Sequence, residues 1–387
     1  MALKSNISKL MVVNFLTGLV FWYAIEKLFM LSIGITPFQI GVNAVVFIII
    51  TVLFDVPSGV LADKWNRKYT LILGLISLTI CTVICGISQT FLVYIIGTLF
   101  YGFYVVFTSG TFQAIMYDSL HELGKQKHYD KYQGISYAIF LAGIGISSIA
   151  SGYIYDVLGH RWPYYLSVIT SLMTLLVLIL LKEPKFHKPE SNNKLLKHVK
   201  TSLKIVTQNK LIFHLAFFMI IVGILRNTVY EYGGLYYIAL GMTAVSLGYV
   251  NSIKWFSAAI GQLVAPKIGR KLLKYIPILF ISFGIFSITQ SVWGLIFYYL
   301  AVFMFSMLNN QAEAEIQDNT PSYVRATTLS LLGFITNVAL IPLGLAFGWI
   351  AGVQNVFSAY QMIAVIGVAY LAIWALISRK YIKKAYI

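Results

Sequence analysis

Charge is scarce in this 387-residue chain: Asp, Glu, Lys and Arg together make up 11% of it, against roughly a quarter in soluble domains. Carboxylates are scarcest, with 13 Asp and Glu against 29 Lys and Arg. So little charge excludes an ordinary water-soluble enzyme and a disordered polyelectrolyte. Two cysteines, Cys81 and Cys85, exclude a disulfide scaffold. They lie one helical turn apart in an apolar segment and read as small packing residues, with no compartment signal. The six histidines show no metal-ligand spacing, so no metal site is expected. A phosphate-binding G-x-x-x-x-G-K-[ST], a G-x-S-x-G elbow and an H-E-x-x-H pair are all missing. The chain is therefore expected to be no enzyme, to hydrolyse no ATP itself and to need no cofactor. The N-terminus lacks the small-residue pattern of signal-peptide cleavage, and its apolar run is long enough to stay as a first span.

What the chain has in abundance is apolar surface: 59% of it is hydrophobic, with a mean hydropathy of +0.79. A helix needs about 20 apolar residues to cross a bilayer. Breaks at Gly, Pro, Asn and charge clusters divide the sequence into spans near 10–32, 38–58, 70–88, 91–117, 134–156 and 162–181. A second set follows near 211–238, 243–264, 275–290, 293–312, 326–351 and 356–378. The expected fold is all-α, a membrane protein of 12 transmembrane helices in two six-helix bundles. The bundles are residues 1–181 and 211–387, joined by a polar cytoplasmic linker at 182–210. A surface helix is expected in the linker around Leu195–Val206.

Basic charge tests that layout. With an even number of spans both termini share a side, and that side receives all but four of the 29 Lys and Arg. The exceptions are Lys27, Arg226 and Lys254 within spans and Arg161 in a loop on the other face. Basic residues gather on the cytoplasmic side of membrane proteins, so both termini are expected there, in a multi-pass protein of the cell membrane. The net charge of +16 then needs no nucleic-acid partner.

The halves echo each other. Gly59-Val60-Leu61-Ala62 and Gly261-Gln262-Leu263-Val264-Ala265 both run into a short turn and an Arg-Lys pair, offset by 202 residues. Parallel repeats of six spans are a transporter architecture, with the substrate site near the midplane between them. The stretch from Gly59 through Leu61, Asp63 and Lys64 to Arg67 and Lys68 matches G-x-L-a-D-r-x-G-R-K. Asn66 stands at the Gly position, where it is expected to tolerate a left-handed turn.

On these residues the chain resembles the major facilitator superfamily. Asp55-Val56-Pro57-Ser58, Tyr117-Asp118-Ser119-Leu120 and Pro321 through Thr327 resemble a bacterial drug-exporter-like branch. Gly143-Ile144-Gly145 resembles the glycine-rich fifth span of drug/proton antiporters, with Ile146 where that stretch has Pro. The resemblance implies the superfamily fold and a cytoplasmic latch of Gly59, Asp63, Arg67, Lys68 and Asp118. In it Asp63 faces the start of span eleven and Arg67 pairs with Asp118, contacts that hold in the outward-open state and break in the inward-open one. Such charges also serve elsewhere simply to anchor loop ends. The second copy has Pro266 where Asp63 stands, so one latch is expected.

Charge inside hydrocarbon costs at least about 2.5–3.5 kcal/mol, which makes each intramembrane ionisable group a functional candidate. Glu26 and Lys27 lie about 24 Å along span one at 1.5 Å per residue, and Arg226 and Glu231 match them in span seven. Three readings stand side by side: Glu26 or Glu231 as proton carrier, an ion-paired gate, or Lys27 snorkelling beside an interfacial Glu26. Lys254 is a further gating or pairing cation. Asp55 either binds protons or satisfies backbone at Pro57. Asn14, Trp22, Tyr23, Gln113, Tyr137, Tyr230, Tyr236, Asn251, Trp255, Asn309 and Asn337 either line a cavity or pack in the core. An aromatic, amide-bearing cavity suits an amphipathic or cationic organic compound. The expected function is proton-coupled export of such compounds by a monomer whose partners are substrate, protons and lipid. Its alternative is proton-coupled uptake of a sugar, nucleoside or organic acid.

Overall fold

The computed structural model describes residues 2–64, 66–184, 195–268, 272–321 and 324–377. Among them are fifteen α-helices and no strand. The helices are α1 (Ala2–Gly18), α2 (Glu26–Ser32), α3 (Pro37–Lys64), α4 (Arg67–Ile87), α5 (Phe91–Thr108), α6 (Thr111–Glu122), α7 (Tyr129–Leu158) and α8 (Trp162–Ile179). They continue with α9 (Leu195–Gln208), α10 (Lys210–Ala239), α11 (Ala244–Ile268), α12 (Leu272–Ile288), α13 (Gly294–Asp318), α14 (Arg325–Val353) and α15 (Val356–Ile377).

Nine segments among the described residues are long and apolar enough to cross a membrane, where the sequence suggests twelve. The differences have physical causes. Span one is two pieces, α1 of 17 residues and α2 of 7, so the uninterrupted 24 Å rise to Glu26 does not exist. Its backbone between them is satisfied from other helices: Ser147 donates to Gly18 O at 3.1 Å, Thr170 to Leu19 O at 2.9 Å, and Phe21 N–H donates to Ser167 Oγ at 2.9 Å. Broken helices survive in hydrocarbon where neighbouring side chains re-satisfy the freed groups in this way. Helix α11 is diluted by Asn251, Ser252, Lys254 and Gln262, and α12 is a shorter apolar helix. Span four reaches Glu122 but bends at Ser109-Gly110, with Gly110 at φ +71°, where a side chain would be strained.

The chain divides into two compact units. The N-terminal unit comprises residues 1–191 with 242–255. One part of its core packs Leu10, Leu71, Leu75, Ile115, Met116 and Leu178. Small residues on α7 admit close neighbours, as interfaces in membranes require. A Cβ on Gly143 would sit 2.6 Å from Phe15 O and 3.1 Å from Gly18 Cα, and one on Gly152 would meet the backbone of Ala244 and Val245. Asn251 Nδ2 donates to Ser148 Oγ at 2.9 Å, and Ser252 Oγ to Gly145 O at 3.3 Å. These contacts place the start of α11 with this unit. Gly143→Val is expected to destabilise by about 1–3 kcal/mol through overpacking. Gly59→Ala, with nothing within 4 Å of the added carbon, is expected to be neutral or stabilising. Thermal unfolding of the purified protein in detergent compares the two.

The C-terminal unit comprises residues 192–241 with 256–387. Its core is aromatic: Tyr232 stacks on Phe347 at 4.1 Å, and edge-to-face contacts join Tyr236 to Tyr360 and Phe286 to Tyr298 and Tyr360. Helix α9, in the expected linker, packs on α10 and α14, burying Ser202 and Val206.

Candidate functional site

A cavity of about 320 Å³ opens inside the N-terminal unit where the bend of span four faces α1, α4, α7 and α8. Asn14 and Thr17 come from α1, Thr108 and Ser109 from the end of α5, Gln113 from α6, and Gln133 and Tyr137 from α7. Tyr104, Phe112 and Phe140 supply ring faces, and among the described residues no charged side chain is in the lining. Asn14 is held by Nδ2, which donates to Ser136 Oγ at 2.6 Å and to Ser136 O at 3.3 Å. Thr17 and Thr108 donate their hydroxyls back to their own helices, to Val13 O and Tyr104 O. Gln133 Oε1 is buried without a hydrogen-bond partner among the described residues. Of the cavity residues expected from sequence, Asn14, Gln113 and Tyr137 are brought together here. Gln133, Thr17, Thr108 and Ser109 were missed; a glutamine one turn from Tyr137 on the same helix was the available signal.

A charged pair follows the break in span one. Glu26 Oε2 lies 2.9 Å from the buried Lys27 Nζ, and Tyr94 donates to Glu26 Oε1 at 3.1 Å. Tyr94 in turn shares a hydrogen bond of 3.1 Å with Tyr164, on whose ring Trp22 stacks. Tyr23 and Tyr101 share one of 2.6 Å, and the Tyr101 ring lies 5.8 Å from that of Tyr104, in the cavity wall. Trp22 and Tyr23 therefore fill the packing between charged pair and cavity and do not line the cavity. Outside the spans, His160 lies 5.7 Å from the Phe29 ring, and burial and the neighbouring Arg161 hold its imidazole below its ordinary pKa. Arg161 donates to Gly86 O and Ser88 O, covering the last carbonyls of α4.

At the other end of α4 is a second charged network. Arg67 and Asp118 form an ion pair. Glu183 accepts from the backbone N–H of Arg67 at 3.1 Å and of Lys68 at 2.9 Å, placing a carboxylate at the positive end of α4. Lys68 and Lys9 donate to the carbonyls of Ile179 and Leu180. Glu183 was not singled out in the sequence because it begins a lysine-rich stretch that reads as solvated linker. Asn66 corrects an expectation: it is extended, φ −171° and ψ 125°, and its side chain caps α4 by accepting from Tyr69 N–H. Gly59 lies within α3, which continues to Lys64. The side chain of Asp63 lies outside the described residues.

Residues 10–341 match the model of the Major Facilitator Superfamily. The chain belongs to that superfamily. An uncharacterized MFS-type transporter of Methanocaldococcus jannaschii is 20% identical over 375 residues, covering 95% of this chain and 96% of the relative. The uncharacterized MFS-type transporter YxaM of Bacillus subtilis is 24% identical over 256 residues, 64% of this chain and 62% of that one. Among solved structures, nucleoside transporter NupG superposes with a TM-score of 0.77 at 17% identity, covering 97% and 99% of the two chains. A D-xylose-proton symporter does so at 0.69 and 16%, covering 95% and 97%. The protein is thus a multi-pass membrane transporter with the all-helical MFS fold.

The other residues expected to act in this MFS transporter are dispersed. Asp55 is exposed on α3, which runs through Pro57 without a break, and the Ser58 hydroxyl rather than the Asp55 carboxylate reaches backbone, at Asp55 O and Val106 O. Lys254 is buried, its Nζ 5.3 Å from the Trp255 ring centroid, and Asn251 is buried on Ser148. Arg226, Tyr230 and Glu231 are half-buried along α10, as are Asn309 on α13 and Asn337 on α14. Tyr236 is corrected from cavity wall to core: it is fully buried, and its hydroxyl donates to Thr289 O at 2.6 Å.

Proposed function

We propose that this chain is a proton-coupled secondary transporter that exports small amphipathic organic compounds by alternating access, as a monomer in the cell membrane with cytoplasmic termini. The observation that carries the reading is the uncharged cavity of amides, hydroxyls and rings, separated by Trp22 and Tyr23 from a pair of the half-buried Glu26 and the buried Lys27. A pocket of mostly apolar lining with a few convergent polar groups is the usual form of a small-molecule site. A carboxylate beside an ammonium within the membrane can exchange its partner for a proton. Glu26 is the favoured carrier over Glu231 and Asp55, because Tyr94, Tyr164, Trp22 and Tyr101 pack in series between it and the Tyr104 ring of the cavity wall. Lys27, Arg226 and Lys254 are the gating cations. The Arg67–Asp118 pair, with Asp63, is the latch.

A second reading, uptake of a small polar nutrient, is favoured by the hydrogen-bonding side chains of the cavity. It is also favoured by the fold shared with proteins named as a nucleoside transporter and a D-xylose-proton symporter. Accumulation of neutral, cationic and anionic organic compounds in expressing cells separates the two readings. Export predicts more accumulation after de-energisation; accumulation that requires an imposed inward proton gradient establishes uptake instead.

A further inference from the structure

We infer that the N-terminal cavity selects neutral, ring-bearing molecules that present a cluster of hydrogen-bond donors, and rejects organic cations. This rests on the proposal that the cavity is the substrate site and adds the chemistry that the site recognises. A hydroxyl has one proton. Thr17 spends its own on Val13 O at 2.6 Å, and Thr108 on Tyr104 O at 2.8 Å, so both meet the cavity with lone pairs. The Asn14 amide has a fixed orientation, because Ser136 O, which its nitrogen reaches, can only accept. That leaves Asn14 Oδ1 as an acceptor. Gln133 Oε1 is a fourth, buried and unpaired among the described residues. Among the described residues none of these four acceptors receives a hydrogen bond, although Ser109, Gln113 and Tyr137 bring donors to the same lining, so each is open to a donor on a ligand. An unpaired buried acceptor carries a desolvation penalty that a ligand N–H or O–H relieves.

Charge selects in the same direction. Among the described residues no carboxylate lines the cavity, so a cation entering it loses its hydration without a counter-charge there. The rings of Tyr104, Phe112, Tyr137 and Phe140 instead offer faces to an uncharged ring. At about 320 Å³ the space is at the lower end of small-molecule sites. A site built to bond donors discriminates strongly against an analogue that lacks them, since its acceptors are then buried unpaired. The predicted ligand is thus amphipathic in a specific sense, a flat apolar face with hydroxyl or amide N–H groups along one edge.

The test uses the full-length protein in lipid nanodiscs without a pH gradient. Ser109→Cys places an exposed thiol on the cavity wall, while native Cys81 and Cys85 are buried. Gln113→Cys is a second reporter on another helix. Alkylation by N-ethylmaleimide is followed with 4-methylumbelliferyl β-D-glucoside, its tetra-O-methyl derivative or tetraphenylphosphonium present. The glucoside is expected to protect both thiols, at concentrations at least about tenfold lower than the methylated derivative, and tetraphenylphosphonium is expected not to protect. Gln133→Leu is expected to raise the half-protecting concentration of glucoside by about tenfold or more, with the ligand-free labelling rate unchanged. Equal protection by the methylated derivative or by tetraphenylphosphonium, or none by the glucoside, overturns the inference. Protection without any proton-coupled transport of the glucoside overturns the functional proposal alone, whereas coupled transport of tetraphenylphosphonium without glucoside protection overturns this inference alone.

Discussion

Glu26→Gln is expected to destabilise the protein by about 3 kcal/mol and to abolish proton coupling. The two effects are separable. Lys27 is 5% exposed, and Glu26 Oε2 lies 2.9 Å from its ammonium. Glutamine keeps the shape and the oxygen that accepts from Tyr94, so the substitution removes charge and little else. It leaves an ammonium in low dielectric without this carboxylate, and breaking a buried pair at one partner costs about 3–5 kcal/mol. The lower figure applies because Glu26 retains 22% exposure. Replacing both members, Glu26→Gln with Lys27→Met, is expected to recover most of the stability, since exchanging a buried ion pair for neutral groups of similar volume is often neutral. It is expected not to recover coupling, because no group remains at the site to exchange a proton. Chemical unfolding in detergent reads the first effect and a pH-sensitive dye inside proteoliposomes the second. Wild-type coupling in both variants would remove Glu26 from the mechanism and transfer the role to Glu231 or Asp55.

The same region shows where sequence reasoning reached and where it stopped. Composition and apolar run length located most of the helices, because a membrane demands both from a segment acting alone. Asn14, Gln113 and Tyr137 stood out as polar residues within apolar runs, and they meet in the cavity. The break after Gly18 was invisible, since what permits it is three hydroxyls on α7 and α8, at Ser147, Ser167 and Thr170, more than a hundred residues along the chain. Nothing in Leu19–Ile25 itself breaks a helix. Asn66 was misassigned for a local reason: the residue suits a left-handed turn and a helix cap equally, and the cap's hydrogen bond to Tyr69 decides between them. Tyr236 was misplaced because an aromatic hydroxyl in a membrane span suggests a polar environment, while the carbonyl of Thr289 satisfies it within the core. In each case the missing information was the partner, which a single sequence does not supply.

The Arg67–Asp118 pair yields the other large effect, and its direction depends on helix dipoles. Arg67 opens α4, where a cation opposes the positive helix end, and Asp118 lies in the last turns of α6, where an anion opposes the negative one. Each residue is thus placed against its own helix, and the pair, with side chains 15% and 8% exposed, offsets the misplacement. Asp118→Asn removes the offset and is expected to cost about 3 kcal/mol, with transport lowered by tenfold or more, the equivalent of about 1.4 kcal/mol in the barrier. Exchanging the partners, Arg67→Asp with Asp118→Arg, restores the attraction and aligns both charges with their helices, although Glu183 then faces a second carboxylate. Stability in the exchanged protein is expected to recover to within about 1 kcal/mol of wild type. Transport is expected to stay low, because a latch must open as well as close and the reversed pair presents the wrong charge to Glu183. Loop anchoring alone needs only the attraction. Full transport in the exchanged protein, measured beside its unfolding midpoint, would therefore identify these charges as anchors and remove the latch from the cycle.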